Sequence, residues 1–195
     1  MGSVLTPFGR ASLGKSAFTI PGVRFRPCRD GDLPFLRRLY RSSREAELSA
    51  TGWPDGMKRS FIDQQFDAQH EDYLARFPDG TFLLIQNRMD PIGRLYLDLN
   101  SSSLRLIDVT LLPVWQGRGI GSAILRGLQD LAAAQPGGRV DLAVDPMNPR
   151  ARALYERHGF RVEQVGPSRL FMRWIPVDPP RPVSGSGNPD VHGEA

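Results

Sequence analysis

The chain has 195 residues, 40% hydrophobic and 24% charged, an ordinary globular composition with room for one sizeable core and little room for two. The formal charge is +4, and of the 25 basic residues all but two are arginine. They are scattered, not blocked, which reads as a solvated basic surface suited to an anionic ligand and speaks against a nucleic-acid-binding module. A single cysteine, Cys28, excludes an internal disulfide and fits a reducing compartment. With no 18-residue apolar run and no signal-like apolar segment, a soluble cytoplasmic protein without a membrane partner is expected.

Residues 1–17 are rich in Gly and Ser and lack periodicity, so they read as a flexible tail. Val23 to Arg26 can form a first strand. Asp32 offers an N-cap, and Leu36, Leu39 and Tyr40 carry an amphipathic helix to about Leu48. Gly52-Trp53-Pro54-Asp55-Gly56 breaks it. A second helix follows from about Lys58 to Arg76, with Ile62, Phe66, His70, Tyr73 and Phe77 on one stripe and Gln65 and Gln69 beside it. That stripe reads as core packing; two amides near a buried face call for hydrogen-bond partners.

After the Pro78-Asp79-Gly80 turn, strands at Phe82 to Gln86, Ile92 to Leu99 and Leu104 to Leu112 are separated by hairpin-length links, giving an antiparallel meander. Pro113 stops the third of them. A helix from Gly121 to Ala134 and a strand over 140–144 then make a strand–helix–strand unit, which implies a parallel right-handed crossover. A short helix from Pro149 to His158, in which the helix dipole accounts for His158, precedes a last hairpin, Phe160 to Val165 and Leu170 to Ile175. From Val177 on the chain is Pro/Gly/Ser-rich, and 177–195 reads as disordered.

The link between the third strand and its helix is Gln116-Gly117-Arg118-Gly119-Ile120-Gly121-Ser122. Ile120, Ile124, Leu128 and Leu131 behind it define one helix face. A glycine turn between strand and helix aims the helix's free N–H groups and positive dipole end at an anion, and Arg118 adds charge. A phosphate is the expected ligand.

A second motif follows the 140–144 strand: Asn148-Pro149-Arg150-Ala151-Arg152-Ala153-Leu154-Tyr155-Glu156-Arg157-His158-Gly159-Phe160. With Gln116-x-x-Gly119-x-Gly121 before it, this resembles the GNAT superfamily of acetyl-CoA-dependent N-acetyltransferases. The first stretch is similar to that family's Q/R-x-x-G-x-G/A pyrophosphate loop, the second to its N-x-x-A/S-x-x-L-Y-x-x-x-G-F signature. The resemblance extends from Val23 to Ile175, and its diagnostic part is 104–160. It implies a mixed, mostly antiparallel α/β sheet of six or seven strands, flanked by about four helices and holding one parallel crossover, within an acetyltransferase-like domain over 18–176.

The resemblance also implies roles. Backbone amides of Gln116, Gly117, Arg118, Gly119, Ile120, Gly121 and Ser122 would hold the CoA pyrophosphate. Leu111 and Leu112, ending the third meander strand, would pair with the pantetheine arm, with an N–H near Leu111 facing the carbonyl oxygen of a tetrahedral intermediate. Asn148 would bond the pantetheine amides, alongside its alternative as a helix N-cap. Tyr155 would protonate or hydrogen-bond the departing thiolate, a task open to a phenol that stays un-ionised at neutral pH. Acetyl-CoA is the implied co-substrate, no metal is expected, and a homodimer is compatible with the family.

An ammonium must lose a proton before its nitrogen can attack a thioester. Asp108 is the best-placed carboxylate: strict alternation puts it on the face of Leu106 and Thr110, among aliphatics expected to raise its pKa. A bond to a neighbouring backbone group, or a base working through water, is the alternative. The acceptor is read as a small-molecule or peptide primary amine held by Trp53, Asp55, Gln65 and Gln69. Two rival readings are weighed. Gly117-x-Gly119-x-x-Ser122 nearly matches a Rossmann dinucleotide fingerprint, but it lacks the third glycine and follows a meander. A CoA-binding relative without transferase activity is the other.

Overall fold

Apolar β-strands, one of them bulged, and the helices that cover them build a single sheet whose β4 and β5 part company partway along. The structure is a computed structural model that describes residues 18–49, 51–99 and 103–176. The expected tails at 1–17 and 177–195 lie outside the described residues. Seven strands form one sheet in the order β1-β2-β3-β4-β5-β7-β6: β1 (Val23–Pro27), β2 (Thr81–Asn87), β3 (Asp90–Asp98), β4 (Ser103–Leu111), β5 (Arg139–Val144), β6 (Arg161–Val165) and β7 (Leu170–Trp174). Every pair is antiparallel except β4–β5, so the Rossmann reading, which needs a parallel sheet, falls. The mixed α/β architecture is the one the motifs imply.

Four helices cover the faces. On one side lie α1 (Leu33–Ser49) and α2 (Asp55–Arg76), burying Phe35, Leu36, Leu39, Ile62 and Phe66 against Phe82, Leu84 and Tyr96 of the sheet. Arg41 and Arg37 of α1 bridge Asp63 and Asp67 of α2, each at 2.6 Å. On the other side α3 (Ile120–Ala133) and α4 (Pro149–Arg157) are joined to the larger core. Ile120, Ile124 and Leu128 are buried as their spacing requires, and Leu131 is partly buried. His70 is buried and stacks on Phe66 at 5.9 Å, a core histidine.

Two helix starts differ from expectation. Asp32 ends a 3-10 turn (Asp30–Asp32) and does not cap α1: its carboxylate accepts from the Arg29 N–H and chelates Arg26 at 2.7 Å. The charged fork outcompetes the neutral backbone N–H that a cap would serve. And α2 begins at Asp55, with Pro54 ahead of it, because an acidic first turn suits the helix dipole.

A bulge in β4 matters most. Tyr96 pairs with Asp108 while Leu97 pairs with Leu106, so Ile107 is the extra residue. A one-residue insertion reverses which face each later side chain meets. Leu106 therefore joins the α3 side, whereas Asp108 turns to the α1–α2 side, with Arg94 and Tyr73. The expected shared face of Leu106 and Asp108 does not form.

The β4–β5 junction is clamped by Asp141, which accepts from Arg173 Nε at 2.7 Å, from Arg139 Nε and from Ser103 Oγ. Burial alone would raise its pKa, but the bonds from Arg173 and Ser103 overcome this and hold it below the usual carboxylate range. A carboxylate with a depressed folded-state pKa lends stability that is complete above its unfolded pKa and lost as pH falls through the folded value. Asp141→Asn is thus expected to lose about 1.5–3 kcal/mol at pH 7, the range for hydrogen bonds to a charged group. The gap to wild type should close in urea melts taken progressively below pH 4, a window set by the ordinary Asp pKa of about 3.9.

Candidate active site

β4 and β5 separate. Their pairing ends at Leu106↔Leu142, yet β4 runs on to Leu111 and β5 to Val144, where it stays paired with β7. Among the described residues, no strand pairs with the β5-facing edge of β4 beyond Leu106. Backbone N–H and C=O groups there face an opening able to accept an extended, amide-bearing ligand arm.

At the mouth of this opening a 3-10 turn (Pro113–Trp115) leads into the glycine loop. Gly117 and Gly119 have φ of +75° and +80°, left-handed values that disfavour any other residue. A Cβ on Gly119 would meet nothing within 4 Å, so the loop leaves open space there. The first intrahelical bond of α3 runs from Ala123 N–H to Gly119 O at 2.9 Å. The N–H groups of Ile120, Gly121 and Ser122 precede it and point out of the helix end. Gly121 serves packing instead: its Cβ position lies 3.3 Å from Leu154 of α4. Arg118 lies over the Trp115 ring at 4.8 Å.

Gln116 has a bracing geometry that its motif position does not disclose. Its Nε2 donates to Leu111 O at 3.0 Å, and its Oε1 accepts from Arg150 Nη1 at 2.9 Å. The side chain thus ties the end of β4, the loop and α4 together. Asn148 caps α4, its Oδ1 accepting from Ala151 N–H at 3.0 Å, and the residue is exposed. Leu112 donates its N–H to Ile92 O.

Tyr155 is 8% exposed and packs on Phe160. Burial, and then the Asp108 charge, push its phenol well above the ordinary value, so it remains a proton donor throughout the neutral range. His158 is the C-cap of α4, and burial, then Arg126 and Arg157, lower its pKa.

Asp108 does not sit among aliphatics. Its Oδ1 accepts from Arg94 Nε at 3.2 Å and Thr110 Oγ1 at 2.8 Å; its Oδ2 accepts from Arg94 Nη2 at 2.8 Å and Tyr73 OH at 3.3 Å. The Arg94 side chain is 4% exposed and that of Asp108 13%. Gln69 completes the set, its Oε1 accepting from Arg94 Nη2 at 2.7 Å. Arg94 escaped the sequence reading, although the signal was present: opposite charges inside two adjacent apolar strands must find each other.

The four residues expected to hold the acceptor do not converge. Trp53 is 39% exposed and packs edge-on against Phe61; Asp55 and Gln65 are exposed. Asp55 stands 14 residues before Gln69 on one helix, about 21 Å at 1.5 Å per residue. A pattern along a helix brings i and i+4 together, not residues four turns apart.

Comparison with known proteins agrees with this geometry. Residues 35–160 match the model of the acetyltransferase (GNAT) family. The chain belongs to the GNAT acetyltransferase family. It is thereby a GNAT-type N-acetyltransferase with acetyl-CoA as co-substrate. Among solved structures, the PaiA N-acetyltransferase of Thermoplasma acidophilum, in complex with coenzyme A, superposes with a TM-score of 0.60 at 20% identity, over 77% of this chain and 97% of that one. An acetyltransferase from Thermus thermophilus gives 0.55 at 23% identity, over 78% and 96%. At these identities the likeness speaks for the fold. Among the described residues, no helix is long and apolar enough to cross a membrane.

Proposed function

We propose that this GNAT enzyme transfers the acetyl group of acetyl-CoA to a primary amine by direct attack, through a tetrahedral intermediate. The observation that carries the reading is the unpaired edge of β4 beyond Leu106, on the strand that leads into the left-handed glycine turn at Gly117 and Gly119. Acetyl-CoA supplies the activated acyl carbon and a thiolate leaving group.

The chain's own groups divide the work. Backbone N–H groups of 117–122 bind the pyrophosphate, with Ile120, Gly121 and Ser122 at the positive end of α3, while the Gln116 N–H is held by Pro113 O. Leu111 offers backbone pairing, and an N–H near it stabilises negative charge on the acetyl oxygen, whereas Leu112 is committed within the fold, its N–H to Ile92 O and its C=O to the Trp115 N–H. The Asn148 amide nitrogen donates to the ligand arm while its oxygen caps α4. Tyr155 hands its proton to the departing sulfur. The acceptor nitrogen arrives from the α2 side, near Asp108. Gln69 acts there through Arg94; Asp55 lies at the far end of α2, and Trp53 and Gln65 are exposed. A single buried thiol, Cys28, fits work in the cytoplasm.

The test is an unbiased screen of primary amines, from diamines to peptide N-termini, following free CoA release. It is paired with thermal melts in acetyl-CoA, NAD or oligonucleotide, since a native-state ligand must raise the melting temperature. A shift with acetyl-CoA together with amine-dependent CoA release is expected. Stabilisation by acetyl-CoA without release on any amine would instead favour a CoA-binding relative that has lost transfer.

A further inference from the structure

Asp108 cannot easily take the acceptor's proton directly. A carboxylate has about four lone-pair sites, and four donors already occupy them. Arg94 holds two of the bonds and is itself buried and tied to Gln69, so it is not displaced cheaply. Thr110 is bound from the same strand, two residues on. The remaining donor is Tyr73, on α2, half-buried, with the longest bond of the four.

A phenol that donates its hydrogen still carries oxygen lone pairs. The Tyr73 proton is committed to Asp108 Oδ2, so its oxygen is oriented as an acceptor. We propose that Tyr73 is the residue that meets the acceptor ammonium, relaying its proton to Asp108, with Arg94 and Gln69 as positioning residues. This rests on the acetyl-transfer reading above. It also selects the substrate: a cationic primary amine whose charge is discharged before attack.

The step balances. One ammonium proton passes to Tyr73 Oη as the Tyr73 proton passes to Asp108 Oδ2, leaving a neutral amine. Its lone pair forms the N–C bond. The C–S pair leaves with sulfur, which takes a proton from Tyr155, and a second nitrogen proton replaces that one through solvent. Asp108 then releases its proton to water. Tyr73 never has to ionise, consistent with a phenol pushed up by burial and by Asp108. The charged and titratable groups around the relay are Arg94 and Tyr96 on β3, Arg169 in the β6–β7 turn, whose charge acts on Tyr73, and Tyr155 on α4.

The network also explains a costly feature. A buried ion pair is commonly no more stable than apolar residues of the same volume, so stability alone gives little reason for Arg94 inside β3. Holding a carboxylate in one orientation at the end of the relay does.

The experiment compares two nucleophiles in CoA-release kinetics: a panel of cationic amines (1,4-diaminobutane, glycinamide, 2-phenylethylamine) and hydroxylamine, which is uncharged at neutral pH and needs no discharge. In Tyr73→Phe, kcat with the best cationic amine should fall by about 10²-fold, the lower range for general acid–base groups. KM for acetyl-CoA should hold, and the hydroxylamine rate should fall far less. Arg94→Met should show the same selective loss, and Arg94→Lys should recover part of it. Wild-type kcat on cationic amines in Tyr73→Phe would overturn the relay, as would equal loss with both nucleophiles or turnover of hydroxylamine alone by the unaltered enzyme. No amine-dependent turnover of any kind by the unaltered enzyme would instead overturn the acetyl-transfer reading itself.

Discussion

Gly119→Asp is expected to weaken acetyl-CoA binding by about three decades in Kd. The position has φ of +80° and open space where the side chain would go, so the carboxylate would stand where the pyrophosphate is proposed to lie. Like charges about 4 Å apart repel by about 4 kcal/mol at the effective dielectric of a protein surface, which is about a thousandfold in Kd. Gly119→Asn separates charge from shape: asparagine tolerates left-handed backbone and is uncharged, so most of the affinity should survive. Isothermal titration with acetyl-CoA on both variants reads the result. Equal affinity in Gly119→Asp and wild type would remove the loop from the binding site.

Tyr155→Phe is expected to lower turnover by about 10²–10⁴-fold, the range for a general acid, with acetyl-CoA affinity nearly unchanged. The ring is buried against Phe160, and phenylalanine preserves that packing while removing only the hydroxyl that carries the proton. Burial and then the Asp108 charge keep the phenol protonated, so wild type should show no loss of this donor on the alkaline side up to pH 10. Steady-state kinetics beside a binding titration separate the outcomes. Parallel loss of binding and turnover would mean that Tyr155 only supports the fold.

The element order was legible because its signals are local. Apolar spacing on α3, the break at Pro113 and the glycine turn at 117–119 act within a few residues, and each strand and helix formed within a few residues of its expected bounds. The same holds for the two motif stretches, whose backbone shape is dictated by glycines and by the Asn148 cap. The acceptor side was not legible in the same way. Strict alternation along β4 assigned Asp108 to an aliphatic face. The bulge at Ile107 reversed it, and a bulge arises from how β3 and β4 pair, not from either strand alone.

The sequence by itself determined the strand and helix order, the anion-binding turn and the family motifs, since local backbone preference and hydrophobic period suffice for them. Only the tertiary structure decided that β4 parts from β5 after Leu106, that Asp108 is bound by Arg94 and Tyr73 from two other elements, and that Asp55 lies far from Gln69. Those facts depend on register and on distance through space. Neither is encoded in residue spacing until the whole sheet has assembled.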